Sequence, residues 1–278
     1  MRRNVLFAAL CAGGLAIAVA GGAAARTTAN EVQLRGVLNA ANEVPAPTGD
    51  VAAARGTFTA TTTKTATGAT LAWRLTFSNL TGDAIAAHIH TGQRDQAGPV
   101  VVSLCGPCTS GATGSADIDA ALLRTIQSGG AYVNVHTGTN KAGEVRGQLG
   151  SIATVRPVLN SRQEVPRPKG AARATGRFTV TAVKTGSSAV LTWRLGFSRL
   201  TGRAAAAHIH IGRRGVAGPV AVALCGPCRN GATGRSTVTG ATLAALESGR
   251  AYVNVHTARN PAGEIRGQIP AIPLTITP

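Results

Sequence analysis

The sequence predicts an all-β protein made of two tandem antiparallel β-sandwich (barrel) domains, each with one short helix. Three observations carry that expectation. The stretch YVNVHTGTNKAGEVRGQ at Tyr132–Gln148 returns as YVNVHTARNPAGEIRGQ at Tyr252–Gln268, so the chain reads as one unit written twice. Most of each unit consists of short apolar–polar alternations rich in Thr, Val and Ala and punctuated by Gly, Pro and Asn, the pattern of strands joined by turns. Helical spacing occurs once per unit: Leu122, Leu123 and Ile126 precede Ser128-Gly129-Gly130, and Leu243 and Leu246 precede Ser248-Gly249, a short helix with a glycine stop.

The chain opens with MRRNVLFAALCAGGLAIAVAGGAAA, a basic head, an apolar run from Val5 to Ala20 and small residues suited to cleavage. Residues 1–25 are expected to be a signal peptide, because the run is broken by Gly13 and Gly14 and is short for a membrane span. Arg2-Arg3 loosely resembles a twin-arginine signal. No other apolar stretch could cross a bilayer as a helix, so the mature chain is expected to be secreted or associated with the cell envelope. It would comprise one domain over residues 26–150 and a second over 151–278.

Unit one begins with the strand and Pro-bounded loop VQLRGVLNAANEVPAP, matched in unit two by RPVLNSRQEVPRP. Glu43 and Glu164 are 121 residues apart but Gly56 and Gly176 are 120 apart, so one residue has been gained or lost in the loop between, as surface connections allow. GTFTATTT and ATLAWRLTF follow as strands, with Leu71 and Trp73, and Trp193 in unit two, facing the core. AAHIH at Ala86–His90 recurs at Ala206–His210; on a strand, residues two apart share a face, so His88 and His90 point together while Ile89 points inward.

After AGPVVVSL comes CGPC, at Cys105–Cys108 and again at Cys225–Cys228. In a thioredoxin a helix begins at this motif and activates the first thiol. Here TSGATG and RNGATG follow, too glycine-rich for a stable helix. Each pair therefore reads as a small disulfide stapling a loop, consistent with an oxidising compartment; pairing between the units is left open. The YVNVH strand sets Tyr132, Asn134 and His136 on one face and Val133 and Val135 on the other, a half-buried strand with a polar working face. A turn then leads to Glu144, Arg146 and Gln148 on the returning strand. The tail PAIPLTITP is Pro-punctuated.

Charge is shared unevenly. Glu31–Gly150 holds eight Lys/Arg against eight Asp/Glu, whereas Ser151–Pro278 holds seventeen against three, net +14. Such a field would attract an anionic surface or polymer; the alternative is arginine enrichment from a GC-rich genome together with a need for solubility. The arginines are scattered and few aromatic residues accompany them, so nucleic acid is not expected as a partner.

All six histidines of the chain fall in the two repeated patterns, His88, His90 and His136 in unit one and His208, His210 and His256 in unit two. Three convergent imidazoles suit Zn²⁺ or Cu²⁺, with Glu144 or Glu264 nearby and Asn134 or Asn254 orienting the third histidine. The alternative is a hydrogen-bonded polar cluster that pins the closing hairpin. No activated nucleophile or paired carboxylates stand out, so a non-enzymatic binding or structural module is expected.

The ordered motifs EVP, AAHIHTG, AGPVV, YVNVHT and GEVRGQL resemble the CHRD (chordin-type) domain family, twice over nearly all of the mature chain. The resemblance implies an immunoglobulin-like β-barrel distantly similar to Cu/Zn superoxide dismutase, and it leaves the activity open. A dismutase takes two copper ligands from a His-x-His strand and a third from a later strand, and keeps an arginine near the metal to attract the anion. His88, His90, His136 and Arg146 fit that order, as do His208, His210, His256 and Arg266. The histidine that would bridge copper to zinc has no counterpart, which argues against redox cycling by the dismutase route.

Overall fold

The computed structural model describes residues 30–276; the expected signal peptide lies outside the described residues. Unit one contains β1 (Glu31–Asn39), β2 (Arg55–Lys64), β3 (Gly68–Ser78), β4 (Ala84–Thr91), β5 (Val100–Cys105), β6 (Thr113–Asp119), α1 (Ala120–Gln127), β7 (Ala131–Thr137) and β8 (Val145–Gln148). Unit two contains β9 (Gly150–Val155), β10 (Val158–Asn160), β11 (Thr175–Thr185), β12 (Ser188–Ser198), β13 (Ala204–Ile211), β14 (Val220–Cys225), β15 (Ala232–Thr239), α2 (Gly240–Glu247), β16 (Ala251–Thr257) and β17 (Ile265–Ile269).

Every ladder among the described residues is antiparallel. In unit one the strand order is β6-β3-β2-β1-β8-β7-β4-β5. Only one residue pair, Asn39 with Arg146, joins β1 to β8, so the sheet folds over there into two layers, β6-β3-β2-β1 and β8-β7-β4-β5. Unit two repeats the order as β15-β12-β11-β10-β17-β16-β13-β14. The expected all-β sandwich with one short helix per unit is therefore the architecture observed. Between the layers of unit one lie Leu34, Leu38, Phe58, Leu71, Leu75, Ile89, Val133, Val135 and Val145, with Trp73 stacked against Phe58. The alternation read from the sequence places each of them inward. The Asp119 side chain caps α1 by accepting the Leu122 N–H at 2.7 Å, and Leu123 and Ile126 carry the helix onto the core.

The two units are not independent beads. β9 corresponds to the first half of β1, and it pairs on one side with β1 through Gly150–Ile152 and on the other with β11 through Ser151–Val155. One sheet therefore runs from unit one into unit two. The tail crosses the same junction: Ile272 and Leu274 join the core of unit two, while Ile276 is buried in the core of unit one. Gln127, at the end of α1, donates to the Ile276 carbonyl at 3.1 Å and accepts the Ile276 N–H at 3.0 Å. Cys105–Cys108 and Cys225–Cys228 form disulfides within the units.

Candidate metal centre

β4 and β7 are hydrogen-bonded neighbours, with His88 opposite Asn134 and His90 opposite Tyr132. That register brings His136, two residues past Asn134, beside His88. The His88 Nδ1 and His136 Nε2 atoms are 3.0 Å apart, and one nitrogen from each of His88, His90 and His136 lies within 4.8 Å of the others. Unit two repeats the cluster with His208, His210 and His256, and with 3.1 Å between His208 Nδ1 and His256 Nε2.

Backbone carbonyls fix the tautomers. His136 Nδ1 is 2.9 Å from the Lys141 carbonyl and His90 Nδ1 is 2.9 Å from the Gly98 carbonyl. A carbonyl can only accept, so both Nδ1 atoms carry the proton and both Nε2 atoms keep their lone pairs. The His90 Nε2 lone pair is buried and has no partner. His88 Nδ1–H donates to His136 Nε2, and moving that proton to His88 Nε2 frees a third lone pair without changing charge. Unit two fixes its rings in the same way through Pro261 and Gly218. Around a tetrahedral ion with metal–nitrogen bonds of about 2.0 Å, ligand nitrogens are about 3.3 Å apart, a spacing the three rings reach by small movements. Desolvation, followed by the neighbouring imidazoles, lowers the pKa of His88 and His208. Desolvation also lowers His136 and His256, against the opposing carbonyl bond. Neutral imidazole, the ligand form, is thereby favoured.

Gly98 holds the site's edge. Its carbonyl accepts from His90, and its N–H donates to the Tyr132 hydroxyl at 3.1 Å. A Cβ at this position would lie 1.8 Å from the Thr91 carbonyl oxygen, so only glycine lets the 92–98 loop close onto β4. Tyr132 stacks on His90 with centroids 4.9 Å apart.

The expected polar working face is not open to solvent. All seven residues of β7 are buried, because the 92–98 loop and the Ala40–Asn42 turn with Glu43 cover the face that alternation alone would leave wet. Arg146 and Glu144 also differ from expectation. Arg146 arrives from β8, on the far side of β7 from His90, and lies over the Tyr132 ring at 3.4 Å. Its Nη2 donates to the Gln93 and Gln96 carbonyls. Tyr132 thus stands between the guanidinium and the histidines, so Arg146, and likewise Arg266 behind Tyr252, does not face the metal position. The fully buried Glu144 carboxylate accepts from the Thr81 N–H and hydroxyl, the Thr137 hydroxyl and the Asn140 amide. Burial would raise its pKa, but these bonds outweigh it and hold the group below its usual range. Glu264 does the same with Thr201, Thr257 and Asn260. Both brace the hairpin turn.

Asn134 and Asn254 do not orient the histidines. Asn134 turns towards the Ala142 carbonyl and Glu43. Glu43 enters the sequence pattern only as part of a loop motif, yet it is 5% exposed with an unpartnered Oε2. Burial pushes its carboxyl up to about 7, against the pull of the Val44 N–H, Arg146 and Asn134. Glu164 repeats this in unit two, also at about 7. The recurrence of EVP in both units is the signal that could single these acids out.

Residues 34–149 and 155–269 each match the family model described as CHRD domain. No curated protein and no solved structure matches the chain. With two matches that together span most of its length, this chain belongs to the CHRD domain family, as a tandem pair.

Proposed function

We propose that this protein is an exported, non-enzymatic binding module in which each unit holds one copper or zinc ion on three imidazoles: His88, His90 and His136 in the first, His208, His210 and His256 in the second. The observation that carries this reading is the buried, unpartnered Nε2 of His90 and of His210. An unsatisfied buried acceptor costs about 1–3 kcal/mol. A metal ion satisfies these atoms. Rings tied to backbone carbonyls are the arrangement that aims ligand lone pairs before the ion arrives. The two disulfides fit an extracellular setting, and no helix among the described residues is long and apolar enough to cross a membrane. The test is elemental analysis of the tag-free protein before and after dialysis against a mild chelator. Close to two equivalents of copper or zinc per chain are expected, falling to one in His136→Ala. Absence of metal from both the purified and the metal-exposed protein would reduce the histidines to a hydrogen-bonded brace.

A further inference from the structure

Three arginines of the basic unit two line one cleft. Arg173, Arg199 and Arg259 border an open depression of about 770 Å³ together with Gly170, Leu200 and Thr201. They come from three separate segments: the loop before β11, the turn between β12 and β13, and the turn between β16 and β17. All three side chains are exposed, and none has a hydrogen-bond or ion-pair partner among the described residues.

Unit one lacks all three cations. Aligning Ala54 with Ala174, each of which closes the same turn by donating to the residue three before it, sets Ala53 against Arg173. Asn79 stands against Arg199 and Thr139 against Arg259. The residue that unit one has in excess in this loop is Asp50, so the equivalent surface there carries an acid instead.

Arg199 stands here at a backbone cost, and Arg259 has a close neighbour. Arg199 has a left-handed backbone, φ 58, as does Asn79, φ 56. Asparagine is suited to that conformation, and Asn79 uses its side chain to donate to the Ala53 carbonyl at 3.2 Å. Arg199 gives up both advantages. Arg259 lies against Gly170, where a Cβ would come within 3.2 Å of its Cζ, so the guanidinium has a flat bed. The buried acid Glu264 sits beneath Thr201 with its oxygens occupied by Thr201, Thr257 and Asn260. It offers the arginines no ion pair.

We infer that this cleft is a phosphate-binding site peculiar to unit two, taking the phosphate group of a soluble ester or of a lipid headgroup. Guanidinium forks match the oxygens of a phosphate in paired hydrogen bonds, and three forks from three segments fit one multiply charged tetrahedral group better than a single carboxylate. The site is separate from the histidine centre, so its failure and that of the metal reading are distinguishable.

The experiment titrates the full chain with pyrophosphate by calorimetry, and separately sediments it with phosphatidylglycerol vesicles and with phosphatidylcholine vesicles, all at about 0.15 M salt, where long-range attraction is screened. The test variant carries Arg173→Ala, Arg199→Asn and Arg259→Thr, residues that unit one already accommodates at these places. A control variant of equal charge carries Arg156→Ala, Arg177→Thr and Arg235→Ser. Saturable binding of pyrophosphate, at least tenfold weaker in the cleft variant and within about twofold of wild type in the control, supports a soluble phosphate compound. The same contrast seen only with phosphatidylglycerol vesicles supports a headgroup. Metal content should be unchanged in both variants. Equal losses in the two variants, or no saturable binding in either assay, would overturn the inference.

Discussion

Replacing Glu43 by glutamine should make the protein more stable at alkaline pH and leave it little changed in acid. The Glu43 carboxyl titrates at about 7 in the folded chain against an ordinary value of 4.5, because burial penalises the charged form more than Val44, Arg146 and Asn134 relieve it. A group whose folded pKa is raised stabilises the fold fully below its unfolded pKa, and that contribution is lost as pH rises through the folded value. For Glu43 the window therefore runs from pH 4.5 to about 7. At roughly 1.4 kcal/mol per pH unit, crossing it costs about 3 kcal/mol. A glutamine at this position cannot ionise, fills the same space and does not meet this cost. Urea unfolding of wild type and Glu43→Gln at a series of pH values gives the difference in stability directly. The histidines, whose lowered pKa values remove stability as pH falls below about 6.5, contribute equally to both proteins and cancel in the difference. The difference should rise by about 3 kcal/mol in favour of Glu43→Gln between about pH 4 and pH 8. Glu164→Gln should repeat the effect. A difference that stays flat would show that the carboxyl titrates normally, and one that falls would show that Arg146 stabilises the anion; either refutes the reasoning.

Gly98→Ala places a Cβ on the Thr91 carbonyl and should displace the loop that positions His90 and Tyr132, costing about 3 kcal/mol; elemental analysis should find one metal equivalent lost, that of unit one, while the second site, held by Gly218, remains loaded. Ile276→Ala should lower stability by about 2–5 kcal/mol although the residue lies in the tail beyond unit two, because its side chain is buried in the core of unit one. Limited proteolysis and denaturation of unit one should report that loss, and an unchanged unit one would mean that the tail does not bridge the units.

The duplication, the antiparallel strands, the single helix in each unit, the core positions such as Leu71, Trp73 and Ile89, and the disulfide pairs are legible in the sequence. The duplication shows as a repeat at an offset of 120 residues, and each of the others depends on local periodicity or on residues three or four positions apart. The convergence of the histidines is legible in part. His88 and His90 share a strand face by alternation, and the repeat ties His136 to them. What alternation cannot report is which loop returns to cover a face. Glu43 and the 92–98 loop bury the polar side of β7, and that burial displaces the titration of Glu43 and fixes the rings through carbonyls. Arg146 and Glu144 escape the pattern for the same reason, since a strand pattern gives the face of a side chain but not what stands between it and its neighbour; here Tyr132 and Thr81 decide.

By itself, the sequence determined that one sandwich is written twice and that each copy keeps three histidines together. Only the tertiary structure decided that β9 and Ile276 join the copies, that one histidine lone pair in each unit, on His90 and on His210, is buried without a partner, and that Arg173, Arg199 and Arg259 meet in one cleft. The physical reason is distance along the chain. Periodicity follows from sterics between near neighbours, whereas these arrangements depend on loop closure and on contacts between segments tens of residues apart, which no local pattern encodes.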